Sequence, residues 1–144
     1  MDMIDMKIIQ LLKANSRTTS SEIAKRVILS VPAVSERIRK LEHEKIIKQF
    51  TLRLDRKKLD LNLMAFVLVS LDKAEHVAHF KELVLNSDWV LECHHIVGEY
   101  DYLLKVMAQN TEKLEIYLSH ILKKTAGVAK INSIIALSTL KEEA

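Results

Sequence analysis

The apolar pattern of this chain changes period near residue 60, and that change divides the fold into two unlike parts. Upstream, apolar residues recur at helical spacing in three short stripes: Ile4, Ile8, Leu11 and Leu12; then Ile23, Ala24 and Val27; then Val34, Ile38 and Leu41. Downstream, β-branched and apolar runs alternate with amphipathic stretches. Strands are predicted near 64–71, 89–97, 102–108 and 128–140, with a helix after each of the first and third. The order β-α-β, β-α-β is that of a ferredoxin-like sheet with both helices on one face.

Cap residues sharpen the first part. Asp2 is placed to cap a helix running to about residue 14, and Asn15–Thr18 reads as a loop. Thr19 and Glu22 have capping-box spacing, and Ser30 caps a third helix with Pro32 in its first turn, where a missing N–H costs nothing. The two-residue connection Ile28-Leu29 is a helix-turn-helix spacing. Residues 46–54 are β-leaning and predict a strand pair, or wing. The expected fold class is therefore α+β: a winged helix-turn-helix over 1–58, then a ferredoxin-like βαββαβ domain over 59–144.

Charge follows the same division. Residues 1–58 hold 14 basic and 7 acidic side chains, a net +7; residues 59–144 hold 8 and 12, a net −4. A basic domain beside an acidic one points to a polyanion, double-stranded DNA, as the partner of the first. With its apolar stripe turned inward, the third helix presents Pro32, Ala33, Glu36, Arg39 and Lys40, flanked by Ser35 and Arg37. Small and polar groups in the first turns suit base edges, and cations alongside suit phosphates. Ser30, Arg17 and Lys48 extend the expected contact set. Glu36 is either an acceptor for cytosine or an ion-pair partner of Arg39 or Lys40.

The rest of the composition excludes more than it assigns. With 2 glycines and 1 proline the chain has no phosphate-binding glycine loop. A lone cysteine, Cys93, excludes an internal disulfide and a cysteine-built zinc site, and fits a cytoplasmic setting. No metal site or cofactor is expected: His94 and His95 are adjacent on a strand and point to opposite faces. No apolar run reaches membrane-span length. The sheet face away from the helices carries apolar residues with nothing in the chain to bury them, which predicts a homodimer.

These residues resemble the Lrp/AsnC (feast/famine) family of prokaryotic regulators over nearly the whole length. The likeness is carried by Ile4–Ile9 with Ser16-Arg17, by Glu22-Ile23-Ala24, Leu29-Ser30 and Val34 with Arg37–Glu42, and by Ile46-Ile47 with Phe50. In the second half it is carried by Gly98–Leu104, Gly127-Val128 and Ser133. The resemblance implies dimers that often assemble into octamers, and an amino acid or related metabolite bound near the turn of Gly98, Glu99, Tyr100 and Asp101. In that reading Asp101 pairs with an ammonium group and Ser133 adds a hydroxyl; the alternative is that Gly98 and Asp101 only fix a hairpin. Three positions depart from the family: Ile28, Lys45 and Asp60 stand where it commonly has glycine, so the turn angles there are expected to differ. The reading as a regulator, not an enzyme, has two rivals on the same architecture. One is a siroheme-decarboxylase-like enzyme using histidines such as His94 and His95. The other is an architectural protein that coats DNA.

Overall fold

A computed structural model describes residues 1–142. It divides into two compact units, Met1–Arg53 and the remainder from Leu54. The division precedes the expected Lys58/Leu59 boundary because the short 3₁₀ turn Lys57–Leu59 and the residue before it belong with the second unit. Arg56 is ion-paired there to Glu142 at 3.1 Å.

The first unit holds α1 (Met3–Ala14), α2 (Ser20–Val27) and α3 (Val31–His43). Ile8, Leu12, Ile23, Ala24, Val27 and Val34 form its core, with Ile4, Leu11, Leu29, Ile38 and Ile47 packed against it. Each helix begins on a side-chain cap. Asp2 and Asp5 close one reciprocal capping box and Thr19 and Glu22 another, while Ser30 accepts from the Ala33 N–H. The strand pair expected over 46–54 is not formed. An extended segment becomes a strand only when its backbone joins a ladder, and the described residues 48–55 join none. Phe50, Leu52 and Leu54 are left exposed.

The second unit is a four-stranded antiparallel sheet of β1 (Leu63–Leu71), β2 (Val90–His95), β3 (Tyr102–Ala108) and β4 (Val128–Ala136), in the order β2-β3-β1-β4. Helix α4 (Val77–Leu85) follows β1, and α5 (Thr111–Ile116) follows β3 and continues as a π turn, Tyr117–Leu122. The alternate residues Ala65, Val67 and Val69 of β1 and Tyr102, Leu104 and Val106 of β3 meet Phe80, Val84, Leu114, Tyr117 and Leu122 in one core. Between β1 and α4 the Asp72 carboxylate meets His76 Nδ1 (2.7 Å), and a 3₁₀ turn, Ala74–His76, leads into the helix. Strand β4 ends at Ala136, opposite Met64, where β1 begins and the ladder has no further partner.

Gly127 lies five residues beyond the end of the π turn and does not cap it. It opens β4 at φ +89°, and its carbonyl accepts the Asp72 N–H at 2.8 Å. A Cβ at this position would overlap His76 Cβ, Cγ and Nδ1, so glycine is required by contact as well as by conformation.

The three positions that depart from the family pattern share one geometry. Ile28 (φ 57°), Lys45 (φ 58°) and Asp60 (φ 61°) are all left-handed. Each follows the last turn of a helix and lets the next residue's N–H reach back five residues: Leu29 to Ala24 (3.1 Å), Ile46 to Leu41 (2.9 Å), Leu61 to Arg56 (2.9 Å). The turn angles are kept, against expectation, and non-glycine residues are forced into them.

Candidate functional site

Helix α3 carries the candidate nucleic-acid surface. Val34 and Leu41 are buried and Ile38 is half-buried, which fixes the rotation of the helix and turns Pro32, Glu36, Arg39 and Lys40 to the exterior. Ala33 and Ser35 lie half-buried on the shoulders. Ser30 spends its hydroxyl on the Ala33 N–H (3.3 Å), so its contribution at the helix start is first a cap. Glu36 pairs with Arg39 at 2.8 Å, and Lys40 approaches Glu44 at 3.8 Å. Ion pairs this exposed contribute little, so Arg39 and Lys40 can exchange these carboxylates for phosphate oxygens. Arg17 is exposed in the loop before α2, and Lys48 is exposed beyond α3.

Arg37 differs from the expectation of a phosphate contact. Its Nη1 donates to Asp2 Oδ2 and Asp5 Oδ1, each at 2.7 Å, and so clamps the first turn of α1 to the middle of α3. The Asp5 backbone N–H and then Arg37 lower the Asp2 carboxyl to about 2, and the Arg37 guanidinium is pushed up by the same two carboxylates. Arg37 therefore positions the helix on which its neighbours sit.

In the second unit the turn between β2 and β3 presents exposed Gly98 and Glu99 and half-buried Tyr100 and Asp101. Gly98 has φ +152°, and no atom lies within 4 Å of where a Cβ would project, so the turn is open on that side. Asp101 is built into the sheet. Its Oδ2 accepts the Leu71 N–H at 2.7 Å, its N–H donates to the Val69 carbonyl at 3.0 Å, and its carbonyl accepts the Ile96 N–H at 2.8 Å. It ties the turn to the end of β1, the hairpin role weighed above. Ser133 is exposed on β4 opposite Val67. Within one chain it is two pairs further along β1 than Val69, the residue that receives the Asp101 N–H.

The sheet face away from the helices carries Met64, Phe66, Leu68 and Leu103, all half-buried, and Ile134, 54% exposed. Lys105 sits among them and is only 8% exposed. It bonds to Glu92 (3.0 Å) and to Glu142, which also holds Arg56. Both carboxyls lie below their ordinary range, chiefly because of Lys105, and Glu142 raises the ammonium in turn. Sequence reasoning missed this cluster. Its signal was a lysine in the middle of the apolar run Tyr102–Ala108. His94 pairs with Glu92 (3.1 Å) on this face, whereas His95 stacks on Tyr102 on the other, 5.0 Å between centroids.

Residues 1–42 match the AsnC-type helix-turn-helix domain, and residues 64–144 match the Lrp/AsnC ligand binding domain. The Bkd operon transcriptional regulator of Pseudomonas aeruginosa is 32% identical over 142 residues, 97% of this chain and 93% of that protein. The HTH-type transcriptional regulator LrpC of Bacillus subtilis is 36% identical over 119 residues, 83% of this chain and 82% of its own length. Among solved structures, a Neisseria meningitidis transcriptional regulator crystallised as its L-Met complex superposes with a TM-score of 0.96. It is 31% identical, and the match covers 99% of this chain and 94% of that one.

Proposed function

Since the chain belongs to the Lrp/AsnC family of transcriptional regulators, we propose that α3 reads operator DNA and that an amino acid or related small metabolite, sensed by the second unit, governs that binding. The observation that carries the DNA reading is the rotation of α3. Its buried stripe leaves small groups at the N-terminal turns and Arg39 and Lys40 outside. Pro32, Ala33, Ser35 and Glu36 are then the base-facing set, and Arg17, Arg39, Lys40 and Lys48 are the phosphate contacts. Arg37 is left out of that set because Asp2 and Asp5 already hold it. Replacing Arg39 and Lys40 together by alanine tests the assignment. Each phosphate contact contributes about −0.9 to the slope of log K against log salt, so the slope becomes shallower by roughly two per subunit, or about 3.6 for a dimer on a two-fold site. An unchanged slope removes both residues from the phosphate set.

For the metabolite, the open backbone around Gly98–Tyr100 supports binding, and Ser133 adds a hydroxyl when a second subunit brings it near. The neisserial relative crystallised with L-Met motivates amino acids as the first ligands to try. A thermal-shift screen of the twenty amino acids tests it, because a ligand that favours the folded state raises the melting temperature. The half-buried apolar sheet face supports a homodimer, with further assembly to an octamer read from light scattering.

A further inference from the structure

Ile28 is out of place by every local criterion. It is β-branched, yet it adopts φ 57° and ψ 51°, a conformation that such side chains rarely enter. Its neighbours Val27 and Leu29 pack into the core of the first unit, whereas Ile28 is 90% exposed. Lys45 and Asp60 share the left-handed geometry, but one carries an unbranched polar chain and the other is a residue type that tolerates this region. Glycine would form the same backbone turn without strain and would lose almost no buried surface. The back-bond explains the turn but not the isoleucine, whose exposed side chain gains nothing inside its own fold for the strain it bears and so points to a contact outside it.

The surroundings indicate what that contact is. Ile28 lies in a shallow groove with Ala24, Lys25, Ser30 and Val31, the last also exposed. The groove contains one cation and no carboxylate, and it runs directly into the N-terminal turn of α3, the part of the helix proposed to enter the major groove. An apolar group beside a lysine at that edge fits duplex DNA, where a thymine methyl lies within reach of a phosphate.

We infer that Ile28 is a specificity-determining DNA contact, packing its side chain on a thymine 5-methyl group while Lys25 takes the neighbouring phosphate. This rests on α3 being the reading helix. The test uses the full-length protein and a duplex selected from a random pool. Each thymine is replaced in turn by deoxyuridine, which removes only the methyl group. For the wild type, one position in each half-site weakens binding about three- to fivefold, the effect of losing one buried methyl. In Ile28→Gly, and in Ile28→Asn, that position no longer distinguishes thymine from deoxyuridine. Both variants melt no lower than the wild type, because both residues accept the left-handed turn.

If the wild type selects no duplex, the DNA reading itself falls. If it selects one but Ile28→Gly retains the same thymine dependence at every position, the DNA reading stands and the assignment of Ile28 is overturned. That holds even if Ile28 proves to serve a protein partner.

Discussion

Lys45→Gly offers a clean measure of how much the retained left-handed turns cost. Helix α3 ends in back-bonds: the Lys45 N–H donates to the Glu42 carbonyl at 3.0 Å, and the Ile46 and Ile47 N–H groups both reach the Leu41 carbonyl, at 2.9 and 3.1 Å. The bonds to Leu41 require Lys45 at φ 58°. A left-handed L-residue costs about 1–2 kcal/mol. Glycine removes that cost but adds about 0.4–1 kcal/mol of unfolded-chain freedom. The Lys45 side chain is exposed, so little packing is lost. The net expectation is a gain of about 0.5–1 kcal/mol, or roughly 2–8 °C in Tm for a unit of this size. Lys45→Ala keeps the Cβ and is the control; it gains close to nothing. Urea titration followed by circular dichroism reads the difference as a shift of midpoint at constant slope. If alanine and glycine stabilise equally, or glycine destabilises, the turn does not carry the strain assigned to it.

Three further outcomes follow from other contacts. Gly127→Ala places a Cβ against His76 in a left-handed position and destabilises the second unit by about 2–4 kcal/mol, read by thermal melting. Asp101→Ala strands the Leu71 N–H and costs about 1–2 kcal/mol, whereas Asp101→Asn retains an acceptor and recovers most of it; equal losses would mean that the bond at 2.7 Å is not what holds the turn. The Asp2 carboxyl is lowered in the fold from 3.8 to about 2, so the stability it contributes is complete above pH 4 and disappears as pH falls toward 2. Arg37→Met makes that acid limb shallower without abolishing it, because the Asp5 N–H still holds the Asp2 carboxylate; an unaltered limb would contradict the clamp.

The sequence made the fold legible where one physical rule dominated. Helix stripes, three side-chain caps and the βαββαβ order were readable because periodicity and capping act locally. Residues 46–54 misled because β propensity describes a residue's fit to a ladder, and the ladder depends on a partner that local pattern does not specify. Ile28, Lys45 and Asp60 were readable as departures but not as strained: the back-bonds that hold their angles come from the helices before them. Arg37 belonged by spacing to the basic flank of α3, but two carboxylates about 32 to 35 residues earlier in the chain decide its role. The Lys105 cluster joins residues separated by up to 86 positions, beyond any pattern in a single strand.

Whether α3 reads a DNA sequence is decided by selection from a random duplex pool, followed by affinity measurement at physiological salt. A reading helix yields a recurrent two-fold-symmetric site bound about a thousandfold or more tighter than scrambled duplex, with that ratio collapsing when Ala33 and Glu36 are exchanged for bulkier or opposite-charge residues. Equal affinity for selected and scrambled duplexes, with only a salt-dependent term remaining, would contradict it and leave a protein that coats DNA without reading it.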